Sequence, residues 1–137
     1  MLQMKSPDFA VHRLVLGPLN TNCYIVDTAK GGIIIDPVAD AEYIIRYCHD
    51  IDVAPKFAML THAHFDHIGA AAGLIESGFI DELWHHESDE IEFKRAKTYA
   101  MLIAKRTLDL PPTSARKAYD AGFIDMLNGF GLTIHHL

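Results

Sequence analysis

Apolar and polar residues alternate loosely over 9–16, where Val11, Leu14, Val15 and Leu16 supply apolar positions, and the pattern predicts a strand. Gly17-Pro18 then turns the chain. Two further strands are expected over 22–27 and 32–36, joined by a turn through Lys30-Gly31-Gly32. The second contains the unbroken run Ile33-Ile34-Ile35, as expected of a strand covered on both faces. The period then changes. Over 41–49, Ile44, Ile45 and Cys48 fall on one helical face, and Asp40 stands where an N-cap belongs. After Pro55 the apolar run 57–60 predicts another strand, and the Ala- and Leu-rich run 68–75 a helix. Gly73 in that helix costs about 1 kcal/mol against Ala, so its presence points to close packing.

Residues 80–85 read as the strand that closes a β-α-β unit. A long helix over 88–106 would bury Phe93, Ala96, Tyr99 or Ala100, and Ile103, leaving Lys94, Arg95, Lys97, Lys105 and Arg106 in solvent. Pro111-Pro112 stops it, and 113–121 is expected to form a short helix. Asn128-Gly129 stands between the apolar runs 123–127 and 130–137, the pattern of a hairpin turn. On this reading 132–137 is a strand.

Half of the 137 residues are hydrophobic, enough for a core in a single domain. The net charge of −6 and the lack of any basic run exclude nucleic acid and anionic membrane surfaces as expected partners. Cys23 and Cys48 stand in unrelated contexts and predict reduced thiols rather than a disulfide framework. No apolar run reaches 18 residues and the N-terminus shows no leader pattern, so a soluble cytoplasmic protein is expected.

The candidate chemistry is concentrated in Thr61-His62-Ala63-His64-Phe65-Asp66-His67-Ile68-Gly69, between an expected strand and an expected helix. In an α/β sheet, ligands bind at that edge, outside the carboxyl ends of the strands. His62 and His64 are two apart in an extended segment, so both imidazoles reach one side and one metal ion. Asp66 and His67 come at the turn and are placed to hold a second ion. Imidazole and carboxylate suit Zn²⁺, with Fe or Mn as other occupants. Asp66 is also positioned to accept from free N–H groups of the first helical turn.

His62-x-His64-x-Asp66-His67 resembles the signature of the metallo-β-lactamase superfamily, and the surrounding sequence is most similar to its glyoxalase II-like hydrolases. Two more stretches agree in order and spacing. Leu16-Gly17-Pro18-Leu19-Asn20-Thr21-Asn22-Cys23-Tyr24-Ile25-Val26 resembles that group's first hairpin, and Gly32-Ile33-Ile34-Ile35-Asp36-Pro37 resembles the strand that ends in its aspartate. The resemblance implies an α+β fold: the first half of an αββα sandwich, one mixed sheet with helices on one face. It implies His62, His64, Asp66 and His67 as metal ligands, with zinc binuclear in a complete site, and Asp36 as an outer carboxylate that orients a ligand. The implied reaction is metal-dependent hydrolysis, a metal-bridging hydroxide attacking the carbonyl of a small-molecule thioester or ester. Asp66 is the catalytic residue that orients the hydroxide. His86, at a helix start, and Tyr99 are candidate pocket residues.

Two alternatives stand beside hydrolysis. Val38 occupies a position where the family usually has Gly, and a valine there is also compatible with the mononuclear-iron persulfide dioxygenase branch. The other alternative is a catalytically inactive, truncated metal-binding or assembly module. The resemblance takes 1–137 as the N-terminal part of the domain, ending before the turn that carries the third metal-binding histidine; His135 and His136 do not sit in such a turn. One face of the sheet, with Ile33, Ile34, Ile35, Met59 and Leu60, would then lack its partner sheet. The expected outcome is a homo-oligomer, or pairing with a C-terminal half.

Overall fold

The computed structural model describes residues 2–5 and 9–135. Seven strands form one sheet whose spatial order is the chain order. They are β1 (Leu2–Lys5), β2 (Phe9–Leu16), β3 (Thr21–Thr28), β4 (Gly31–Ile35), β5 (Pro55–Met59), β6 (Leu83–His85) and β7 (Arg116–Ala118). Strands β1 to β4 run antiparallel, and β4 to β7 pair in parallel. Each parallel step needs a crossover. Helix α1 (Ala41–Asp50) links β4 to β5, α2 (Ala71–Glu76) links β5 to β6, and α3 (Glu90–Tyr99) precedes β7; α4 (Ala121–Gly129) follows it.

The alternation of strand side chains divides the apolar residues between two cores. On one face Leu14, Cys23, Ile25, Ile34, Ala58 and Leu83 pack with Ile44 and Cys48 of α1, Leu74 of α2, and Phe93 and Ala96 of α3. On the other, Val26, Ile33, Phe57 and Met59 pack with Phe123 and Leu127 of α4. Asp40 caps α1 as its position implied, accepting from the Tyr43 N–H at 3.1 Å. A methyl at Gly73 would meet Ala41 Cβ at 3.0 Å, which is the close α1–α2 packing its presence suggested.

Three expectations are corrected. The helix expected over 88–106 is α3 followed by a π-helical turn, Ala100–Ala104, closed by Lys105 at φ 52°. The wider turn rotates the buried stripe, so Ala100 is buried while Tyr99 is partly exposed and Ile103 lies in solvent. Residues 116–118 are strand rather than helix, because the edge of β6 offers them a ladder, with Leu83 opposite Arg116 and His85 opposite Ala118. The hairpin at Asn128-Gly129 is absent. Asp120 instead caps a helix by accepting from the Phe123 N–H at 2.8 Å. Phe123 and Leu127, four apart, are the buried side of α4. Gly131 at φ 87° ends it, with Gly131 N–H donating to Asn128 O and Leu132 N–H to Leu127 O, both at 3.0 Å. Residues 132–135 are irregular, and the rest of the strand expected over 132–137 lies outside the described residues.

The helix α4 also changes the picture of the second sheet face. Ile33 and Met59, expected to lie open, are buried beneath it together with Phe57. Helices therefore flank both faces, not one. No helix among the described residues is long and apolar enough to cross a membrane.

Candidate metal centre

Strand β5 delivers the candidate site. Beyond Met59 the chain bends at Thr61, is extended at His64 (φ −67°, ψ 147°) and then closes a 3₁₀ turn, Phe65–His67. This stretch places the His62 and His64 rings together, with centroids 4.4 Å apart. The turn brings His67 back to the same place, 4.0 Å from the His62 ring. The three imidazoles thus form one cluster rather than two separated sets.

The loop after β4 supports this cluster. Asp36 has φ 56°, a left-handed conformation that Asp tolerates better than most residues. Its buried carboxylate accepts the Thr61 N–H at 2.8 Å, the Thr61 hydroxyl at 2.6 Å and His67 Nδ1–H at 2.9 Å. A carboxylate only accepts, so Nδ1 of His67 carries the proton and Nε2 is left with its lone pair in the neutral ring. Thr61 has given its one hydroxyl proton to Asp36. His62 Nδ1, 3.0 Å from that oxygen, must therefore donate to it, and its Nε2 is likewise free. One aspartate thus sets the tautomers of two histidines. The two loops are also joined directly, by the Ala70 N–H donating to Pro37 O at 2.9 Å. Gly69 is required there because a methyl would sit 2.4 Å from Val38 O.

Asp66 accepts the Thr21 hydroxyl at 2.9 Å and lies 3.5 Å from His67 Nε2. Its partner is thus a strand residue, where a helix N-terminus was expected. Burial, followed by the charges of His67 and His64, pushes the pKa of His62 down against the pull of Asp36 and Asp66. Burial acts the same way on His67, but the hydrogen bond and charge of Asp36, with the charge of Asp66, outweigh it and its pKa stands above the usual imidazole value.

Phe65 and Asp66 form a ridge between two clefts. The first, about 240 Å³, is lined by His64, Phe65, Asp66, Glu92, Tyr99 and Ile103. The second, about 190 Å³, lies against Asp66, Asp40, Ala100 and Arg106 among others. Tyr99 therefore stands beside the cluster. His86 lines neither cleft and caps the 3₁₀ turn Glu87–Asp89, its Nδ1 accepting the Ser88 N–H at 3.1 Å. Thr21 and Tyr119 had no signal in the sequence. Thr21 is 45 positions from the carboxylate it serves, and Tyr119 donates its hydroxyl to Leu60 O at 2.7 Å, 59 positions away.

The donor types suit a divalent metal: imidazole nitrogens beside a carboxylate, with Nε2 of His62 and His67 left for it. No group of three or more His, Cys, Asp or Glu among the described residues is arranged to hold an ion.

The family model described as the metallo-β-lactamase superfamily matches residues 16–137. Hydroxyacylglutathione hydrolase GloC of Haemophilus influenzae is 35% identical over 120 residues, which cover 85% of this chain and 55% of that protein. A probable polyketide biosynthesis zinc-dependent hydrolase, BaeB of Bacillus velezensis, is 31% identical over 77 residues, 52% of this chain and 32% of its own. The crystal structure of TTHA1623 in a di-iron-bound form superposes with a TM-score of 0.70 at 32% identity, over 77% of this chain and 52% of that one. The chain thus spans about half the length of the first of these relatives. With its mixed sheet, its histidine cluster at the end of β5 and a family match over nearly its whole length, this chain belongs to the metallo-β-lactamase superfamily.

Proposed function

We propose that the chain serves a metal-dependent hydrolase that cleaves a thioester or related ester. The observation that carries this reading is the triple-imidazole cluster in which Asp36 sets the tautomers of His62 and His67, opening on a cleft beside Asp66. The 35% identity to a hydroxyacylglutathione hydrolase supports the choice of thioester. His62, His64, Asp66 and His67 would hold the metal. Once bound, a zinc or iron ion supplies Lewis acidity toward a carbonyl oxygen and lowers the pKa of water.

The chain's own residues do the rest. Asp36, directly and through Thr61, holds the Nδ1 side of His67 and His62 and fixes both rings in orientation, so that Nε2 is the atom each offers to a metal. Thr21 holds Asp66, whose carboxylate takes the proton of the attacking water while the thiolate leaves. Phe65, Tyr99 and Ile103 give the first cleft an apolar wall beside the reacting carbonyl.

The test is thiol release from a hydroxyacylglutathione by the zinc-equilibrated chain. The expected result is turnover that requires metal and disappears in His64→Ala. Turnover indifferent to chelation or to His64→Ala would refute the reading, as would oxygen uptake with a persulfide in place of thioester cleavage.

A further inference from the structure

The end of α3 separates the two clefts. Tyr99 and Ile103 face the first, and Ala100 and Ala104 face the second. After Ala104 the chain reverses through Lys105 at φ 52°, and the Arg106 N–H donates to Ala100 O at 3.1 Å. Leu108, two residues on, is buried in the main core. Arg106 is therefore held at its backbone on one side and anchored by Leu108 on the other, where it lines the second cleft.

Charge decides what that cleft accepts. Asp66 and Glu92 line the first cleft, and Asp40 and Asp66 the second. The whole chain carries −6. Arg106 is the only arginine or lysine among the described residues lining either cleft. The acidic side chains lining the clefts repel an anionic substrate, and this guanidinium attracts it. The planar fork of arginine matches a carboxylate in two-point geometry.

Resting on the hydrolase reading above, we propose that Arg106 is a specificity residue that binds a carboxylate on one arm of the thioester. The second cleft holds that arm, while the reacting carbonyl lies over the Phe65–Asp66 ridge. The small side chains Ala39, Gly69, Ala100 and Ala104 leave room for an extended chain to reach Arg106.

The experiment measures binding of S-methylglutathione, an unreactive thioether with two free carboxylates, to the zinc-equilibrated chain by calorimetric titration. Its dimethyl ester is the neutralised control. The wild-type chain is expected to favour the free acid. Arg106→Glu should weaken that binding about tenfold or more, Arg106→Lys should weaken it less because the charge stays while the two-point fork is lost, and neither should weaken binding of the diester. Equal binding of acid and diester, no binding of the acid, or an Arg106→Glu variant that binds the acid as well as the wild type would each overturn the assignment. Thioester turnover is assayed on the same preparations. Its absence with the binding pattern intact would refute the hydrolase reading and leave the carboxylate site standing.

Discussion

His67 Nδ1 lies 2.9 Å from Asp36 Oδ2, across 31 positions of sequence, and the same oxygen takes the Thr61 hydroxyl at 2.6 Å. The orientation of two imidazoles therefore depends on one buried carboxylate. Asp36→Asn tests this cleanly, because Asn also tolerates the left-handed backbone at this position. The amide replaces one acceptor oxygen with a donor, so Thr61 and His67 lose their shared partner. Zinc affinity should fall roughly 10–100-fold, read by competition with a chelating dye. Unchanged affinity would mean that Asp36 does not orient the ligands.

The two histidines give the metal-free chain a pH dependence with a turning point. At alkaline pH neither ring is charged in either state and neither contributes. His67 has a raised folded pKa, so as pH falls the folded chain takes its proton before an unfolded His, near about 6.5, does. Stability therefore rises in the window between the raised pKa and about 6.5. His62 has a lowered folded pKa, so below about 6.5 the unfolded state binds a proton that the folded state refuses, and stability falls. Urea midpoints across this range should show a maximum. His67→Gln should remove the rise on the alkaline side, and His62→Gln should soften the acid-side fall. A flat profile for the unmodified chain would contradict both assignments.

Gly69 and Gly78 separate steric from conformational cost. A methyl at Gly69 meets Val38 O at 2.4 Å, whereas at Gly78, with φ 78°, it meets nothing within 4 Å. Gly69→Ala should cost about 2–3 kcal/mol and displace the loop carrying Asp36, while Gly78→Ala should cost about 1 kcal/mol from backbone strain alone. Denaturant titration gives the order, and equal losses would rule out the close approach of the two loops.

Cys23 and Cys48 are both fully buried, and burial pushes each thiol up to about 12. At pH 8 neither should react with an aromatic disulfide until the chain unfolds. Modification should be at least a hundredfold slower than for a free thiol, and its rate should follow urea concentration through the unfolding transition. Rapid labelling of the folded chain would show that the core opens locally around them.

Phe123 and Leu127 cover the sheet face formed by Val26, Ile33, Phe57 and Met59. Leu127→Ala should cost about 2–5 kcal/mol, and Phe123→Asp should free the face altogether. Sedimentation equilibrium should then show a rise in mass with concentration that the unmodified chain shows less strongly. An unaltered mass distribution would mean that α4 is not what keeps this surface from associating.

The site was legible in the sequence where its signals were local. His62 and His64 declare themselves by a spacing of two at the end of an apolar run, and Asp40 by its place before a helical face. Asp36 was legible from its position after Ile33-Ile34-Ile35 and the likeness to a known strand, but the donors it gathers are 25 and 31 residues away. Thr21 was silent for the same reason. A hydroxyl at the start of a strand carries no mark of a carboxylate 45 residues on. Around Asn128-Gly129 a local signal was present and lost. Asp120 and Gly131 supplied both ends of a helix, and the i,i+4 pair Phe123–Leu127 gained a sheet to pack on, which outweighed the turn preference of two residues.

The sheet whose strands lie side by side in chain order has a consequence for biosynthesis. A nascent chain leaving the ribosome at roughly 5–20 residues per second always finds the neighbour of each new strand already made. The forward edge of each described strand waits only for the next strand in the chain. Thr21, Asp36, Thr61 and the three histidines have all emerged by residue 67, before Glu92, Tyr99 or Arg106 exists. The residues of the histidine cluster are therefore all made before those that line the far side of the clefts. Changes in the later segment, which govern what the clefts admit, fall outside the stretch that supplies that cluster.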